Sequence, residues 1–440
     1  MIPKLISVGK RLSLRAYHTE KFKAETLSLS VVLPIERDTA YLTSLLFSVL
    51  LRGTERYPTV AALNRRLDYL YGAELSVRNF YRGDCRILGL SANVLGEAYL
   101  DEEGSSLLVG VMEVMREIFF SPALDENGLL QSHYVESEKQ LQCDTIRAQK
   151  NHPGAYAADR CRSLMHENEP VGIPIYGTVE EVMAVTPERL TAHWKALLQT
   201  LSLNLFYVGA GDENALTDAA RSVFLPALEV LEGRIADAAP ISKDEPTFKT
   251  NPLYAEEKLP IKQGHLAIGI RTGRTLLHED FYACTLLNEL LGASPVSKLF
   301  VNVRERLSLC YSCSSIYNIY KGTLMILCGL EDANRALAEQ EIFAQIRAIQ
   351  NGDFTDAEWS SAKKSVENAY RQLSDSPAAL ESYYFGRALC GLDGEIEFAR
   401  RCFDGVTRED VVRVANALVI DTVFYLGTTG EGEDLIDEED

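Results

Sequence analysis

The 440-residue sequence predicts an α+β protein of two similar halves, each a mostly antiparallel sheet with helices packed on one face. Three observations predict it. The length exceeds one ordinary core, one pattern recurs at about half that length, and strand-like alternation is grouped with long helical stretches.

In the first half, Thr26-Leu-Ser-Leu-Ser-Val-Val-Leu33 alternates as a half-buried strand and leads into a helix from about Ala40 to Leu51. A long helix is expected over Ser106 to Ile118. The half closes with Val185-Thr-Pro-Glu-Arg-Leu190, a helical stretch, and Leu203-Asn-Leu-Phe-Tyr-Val-Gly-Ala-Gly211. The second half opens in the same way, with Gly264-His-Leu-Ala-Ile-Gly-Ile270 and a helix from about Asp280 to Leu291. Its long helix, Asp356 to Leu373, carries a capping box of Thr355 and Glu358. It closes with Val406-Thr-Arg-Glu-Asp-Val411, a helical stretch, and Thr422-Val-Phe-Tyr-Leu-Gly-Thr428. Both closing units place a Thr to cap a helix, acidic residues in its first turn, and a strand ending in Phe-Tyr-x-Gly. Shared order and shared residues read as a duplication.

Between the halves, Ile235 to Pro246 is polar and punctuated by proline, the composition of a linker. The expected organisation is an N-terminal domain 1–232, a linker 233–247, a C-terminal domain 248–430 and an acidic tail 431–440. That tail holds seven carboxylates in ten residues.

A net charge of −19 argues against binding a phosphate backbone, which needs clustered Lys and Arg. No apolar run approaches the ~20 residues of a membrane helix, and the N-terminus lacks the apolar core of a signal peptide. Nine cysteines, an odd number, fit reduced thiols in a cytoplasm better than a disulfide framework. Neither nucleic acid nor membrane is expected as a partner.

Leu51-Arg-Gly-Thr-Glu-Arg-Tyr-Pro58 resembles the end of the active-site helix in the insulinase/pitrilysin family of zinc peptidases (M16). In that family a His-x-x-Glu-His run stands just upstream, its two imidazoles sharing one helix face and one zinc ion, with the Glu as general base. Counting back from Gly53 puts Ser44 at the first His, Phe47 at the Glu and Ser48 at the second His. A serine is a poor zinc ligand and a phenyl ring moves no proton. The third ligand of the family, a Glu on a later helix, matches Thr145 within Glu138-Lys-Gln-Leu-Gln-Cys-Asp-Thr-Ile146. Independently of any family, the seven histidines include no pair at i, i+3 or i, i+4, so no helical two-histidine site can form. No cofactor is expected.

A second match is Ser297-Lys-Leu-Phe-Val-Asn-Val-Arg-Glu-Arg-Leu-Ser-Leu-Cys-Tyr-Ser312, with Lys321-Gly322 continuing the family pattern into a turn. In active family members an Arg here and a Tyr seven residues on face the zinc site, and Arg304 and Tyr311 have that spacing. A guanidinium fork and a phenol can bind a peptide carbonyl and stabilise the charge that develops on it.

The resemblance implies two M16-type (LuxS/MPP-like) domains in a subunit that cannot cut alone. It also implies a zinc-bearing homologue as heterodimer partner, or a homodimer, around a peptide substrate. Zinc-motif-less members from Gram-positive bacteria are associated with modification of elongation factor P. The alternative is a purely structural or peptide-holding protein with no associated proteolysis. Cys310-Tyr-Ser-Cys313 is formally a Cys-x-x-Cys, but strand positions three apart face opposite sides, so no redox or zinc role is expected of it.

Overall fold

The alternating segments pair into two sheets in the computed structural model, which describes residues 2–96, 99, 106–241 and 249–429. The first half supplies β1 (Lys4–Gly9), β2 (Leu12–His18), β3 (Ala24–Pro34), β4 (Glu74–Arg82), β5 (Cys85–Leu95) and β6 (Leu203–Gly209), in the order β1-β2-β6-β3-β5-β4. The second supplies β7 (Leu253–Leu259), β8 (Gly264–Arg271), β9 (Ser312–Asn318), β10 (Thr323–Leu330) and β11 (Val419–Thr428), in the order β7-β11-β8-β10-β9. Apart from the added β1, the two orders are the same when each strand is matched to its counterpart in sequence. Each sheet also has one parallel pair at the same place, β2 with β6 and β7 with β11, and is otherwise antiparallel. The α+β class and the two mostly antiparallel sheets are as the sequence predicts.

The helices repeat as well. Leu107–Phe120, Ser132–Ala148, Pro153–Met165, Val179–Met183 and Pro187–Thr200 lie between β5 and β6. Arg335–Gln350, Asp356–Gln372, Pro377–Leu389, Ile396–Gly405 and Arg408–Asn416 lie between β10 and β11. The Thr355–Glu358 capping box is formed in both directions, at 2.7 and 3.2 Å. No helix among the described residues is long and apolar enough to cross a membrane.

Compactness does not follow a single cut of the chain. One unit comprises Met1–Arg147, Ile173–Pro240 and Leu373–Asp393; the other comprises Ala148–Gly172, Ile241–Gln372 and Gly394–Asp440. The third helix of each series therefore belongs to the unit of the other half, where it covers the sheet face that the unit's own helices leave open. Pro377–Leu389 packs on β3 and β6, and Pro153–Met165 packs on β8, β10 and β11. Each unit's own helices thus keep to one face of its sheet, as expected, and the exchanged helix lies on the other. Ser28 and Ser30 look like the solvent side of a strand, yet both are buried. Ser28 donates to Glu381 Oε1 at 2.9 Å, and the Arg78 guanidinium pairs with the same carboxylate. On β8, Gly269 makes room for the other exchanged helix: a Cβ there would stand 2.8 Å from Met165 Sδ.

The expected linker is held where it is described. Arg11 donates to the Gly233 carbonyl, Ala236 N–H to Thr200 O at 2.8 Å, and Asp84 N–H to Pro240 O at 3.0 Å. Residues 242–247 of the linker and the tail 431–440 lie outside the described residues.

Candidate functional site

The turn that follows the helix Ala40–Leu50 is built by the residues that carried the resemblance. Gly53 has no room for a side chain, since a Cβ would lie 2.5 Å from Pro58 O. Thr54 is fully buried; its N–H donates to Tyr57 O at 2.8 Å and its hydroxyl accepts from Tyr57 N–H at 2.9 Å. This turn fixes the end of the helix, and with it the direction of the residues upstream.

Ten of the eleven residues of Ala40–Leu50 are buried, so the helix is enclosed almost all round. Phe47 sits in the main core with its ring centroid 5.5 Å from that of Phe119. Ser44 is 2% exposed and donates to Ile175 O at 2.7 Å. Its oxygen accepts from Arg86 Nη2, also at 2.7 Å. Ser48 is half-buried.

Arg86, on β5, was not singled out by the sequence, although an arginine inside Cys85-Arg-Ile-Leu-Gly-Leu90 is the kind of charge an apolar strand rarely holds. It is 2% exposed, donates to Ala40 O at 2.6 Å, and reaches Asn79 Oδ1 at 2.7 Å from Nη2 and 3.0 Å from Nε. Burial lowers its pKa to about 10, which still leaves a cation at neutral pH. His193 is the neighbouring imidazole, 2.9 Å from Thr43 Oγ1. Burial, and then the positive charges of Arg86 and Arg189, bring its pKa down to about 4. A fixed cation bonded to Ser44 opposes a divalent metal at this position, in addition to the missing ligands.

Thr145 is exposed and its hydroxyl donates back to Leu141 O at 2.9 Å. The helix Ser132–Ala148 turns Val135, Glu138, Lys139, Gln142 and Cys143 inward, and Thr145 is off that face. Gln142, three residues earlier, is the one that reaches the surroundings of Ser44. Its amide donates to Tyr176 O at 2.9 Å and Tyr41 O at 3.2 Å, beside the Ile175 carbonyl that Ser44 uses. The helical period of the buried positions carried that signal; counting from a motif did not. Gln142 has no charge to offer a metal either. The residues present do not fit a zinc ion.

Arg304 and Tyr311 are in the unit built on the second sheet. The Arg304 guanidinium carbon lies 4.6 Å from the centroid of the Phe300 ring, and its Nε is 3.6 Å from Glu305 Oε1. Tyr311 is 58% exposed and its hydroxyl donates to Glu331 Oε1 at 2.9 Å, which raises its pKa. The two side chains thus present polar groups to solvent from neighbouring segments, each against a different carboxylate. Lys321 has another duty: it pairs with Glu169 Oε2 at 2.7 Å. Burial opposes the charge of Glu169, but hydrogen bonds from His166, Arg271 and Lys321 outweigh it and hold the carboxyl well below the usual range.

The reading of Cys310 and Cys313 needs correction. β9 begins at Ser312, so Cys310 precedes the strand and the alternation of faces does not reach it. Both sulfurs gather with that of Cys328. Interaction among the three thiols lowers the Cys310 pKa and raises those of Cys313 and Cys328.

A sequence model of the family described as Peptidase M16 inactive domain matches residues 184–366. The chain is 31% identical to a Bacillus subtilis (strain 168) protein described as the probable inactive metalloprotease YmfF, over 94% of this chain and 95% of that one. The chain belongs to the M16 peptidase family. Among solved structures, a conserved protein from Enterococcus faecalis V583 superposes with a TM-score of 0.88 at 23% identity, covering 99% of this chain and all of that one (100%). An M16 inactive domain from Pseudomonas fluorescens gives 0.76 at 18% identity, over 97% and 98%. This M16 protein is an inactive protease homologue, and the buried Ser44, Phe47 and Arg86 give the physical content of that inactivity.

Proposed function

We propose that this M16 protein is the non-catalytic member of a pair, joined to a zinc-bearing homologue around a peptide-processing chamber to which it contributes Arg304 and Tyr311. One observation carries the reading: Ser44 and Phe47, at two of the positions that would do chemistry in the first unit, are buried, whereas in the second Tyr311 is exposed and Arg304 only half-buried. A phenol and a guanidinium open to solvent can meet a peptide carbonyl. The partner supplies the metal and the general base. Elongation factor P, implied by the resemblance, is the first substrate to offer such a complex.

The hydrogen bond from Tyr311 to Glu331 favours a second reading, in which the phenol only fastens the start of β9 and the protein holds peptides without cleavage. Purifying the chain with and without a His-x-x-Glu-His homologue from the same organism, and assaying peptide cleavage by each preparation, separates the two. The first reading expects cleavage that depends on the zinc-bearing chain and is enhanced by this one. Equal rates with and without this chain would leave the peptide-holding reading.

A further inference from the structure

Cys310, Cys313 and Cys328 present their sulfur atoms within 4.8 Å of one another, and all three are free thiols. Cys313 and Cys328 are directly opposite each other on β9 and β10, and are 3% and 2% exposed. Cys310 reaches them because the chain reverses after Leu299–Arg306: Ser308 takes φ +50°, and Leu309 N–H donates to Val303 O at 3.0 Å. The third thiol is half-buried, so one side of the cluster is open to solvent.

We propose that these three cysteines form a binding site for one soft monovalent cation of the Cu(I) type, held by three thiolates at the edge of the second sheet. Thiolate sulfur selects soft d10 ions. Three sulfurs arranged trigonally around one ion at about 2.3 Å lie about 4.0 Å apart, so a cluster already gathered within 4.8 Å needs to contract by less than about 1 Å. The cluster has three donors among the described residues, which satisfies a trigonal ion but not the closed four-ligand set of structural zinc. On binding, each thiol still protonated releases its proton to solvent and no electron is transferred. The site is independent of whether the chain serves a peptidase partner.

The test uses the full chain, reduced and kept free of oxygen, titrated with Cu(I) against a chromophoric Cu(I) chelator. The expected result is one Cu(I) per chain with thiolate-to-metal absorption in the ultraviolet. Cys310→Ser, a change outside the strands, should lower the affinity at least tenfold with the fold unchanged by circular dichroism. Cys402→Ser, a half-buried cysteine on another helix, should leave the affinity as it was. Unchanged affinity in Cys310→Ser would overturn the proposal. So would Zn(II) held as tightly as Cu(I), or a reduced chain that yields its Cu(I) to the chelator completely. A Cys313–Cys328 disulfide that forms in air while the reduced chain binds no Cu(I) would make the cluster a redox pair instead.

Discussion

The segment after β3 and its counterpart after β8 start from the same place in a duplicated sheet and end differently. After β3 the chain forms an enclosed helix, Ala40–Leu50, with Phe47 in the core and Ser44 tied to a buried guanidinium, and then a second regular helix, Val60–Tyr69. After β8 the helix Phe281–Asn288 loosens into wide π-type turns at Glu289–Ala293 and Leu299–Arg306, and leaves Val296, Val301 and Leu307 exposed near Arg304. A π-type turn adds a residue to the helical ring and redirects the side chains beyond it, which is why such turns recur at functional sites. The difference teaches that the frame of the family's active-site helix can be preserved as packing in one repeat while the other keeps polar side chains at its surface.

The strongest way to break this comparison is to remove the packing. Phe47→Ala deletes a ring that is 1% exposed and should cost about 3–5 kcal/mol of stability. Phe300→Ala, at a half-buried ring under Arg304, should cost only about 1 kcal/mol. Denaturant unfolding of both variants measures the contrast. Equal losses would mean that the first segment is no more a core element than the second.

Next in size is the effect on a partner's chemistry. If Tyr311 stabilises a developing oxyanion, Tyr311→Phe should lower the partner-dependent peptidase rate by roughly a hundred- to a thousand-fold, about 2.7–4 kcal/mol, with assembly intact. Arg304→Lys should also be damaging, because a point charge does not replace a planar fork. Lower melting temperatures with an unchanged rate per folded complex would assign both residues to structure. Metal content sharpens the same contrast: Cys310→Ser should weaken Cu(I) binding at least tenfold, and Ser44→Ala should leave it unchanged.

What the sequence made legible follows the range of the interactions concerned. The strands, the two-fold plan and the Gly53–Pro58 turn depend on alternation, caps and local sterics, all written within a few residues. The loss of the zinc motif is equally local, since Ser44, Phe47 and Ser48 share one helix. Arg86 escaped because its meaning depends on Ala40, Ser44 and Asn79, partners that only the sheet brings to it. Thr145 was placed by counting from a motif, and it falls just outside the inward stripe of Val135, Glu138, Lys139, Gln142 and Cys143, which the burial pattern of the helix defines. The exchanged helices Pro153–Met165 and Pro377–Leu389 start like any proline-led helix, and nothing local records which sheet each will cover. Cys310 was assigned to a strand that starts two residues later.

The smallest expected effect tests whether a cation lies in the neighbourhood of the former metal site. The His193 imidazole titrates at 6.5 when unperturbed and at about 4 in the folded chain, because of burial first and of Arg86 and Arg189 after it. Between these values the unfolded chain binds the proton and the folded chain does not, so stability is complete above pH 6.5 and falls as the pH falls toward 4. The loss should be on the order of 2 kcal/mol once partial exposure is allowed for. His193→Gln keeps a group able to hydrogen-bond Thr43 but cannot titrate, so its stability should be flatter than that of the parent between pH 6.5 and 5, a range above most carboxylates. Arg86→Gln removes the cation and leaves the imidazole in place. Its His193 resonance, followed by NMR, should then titrate at a higher pH than in the parent, though still below 6.5 because burial remains. A titration curve identical to that of the parent would show that the Arg86 charge does not reach this imidazole, and the electrostatic part of the argument against a metal beside Ser44 would have to be withdrawn.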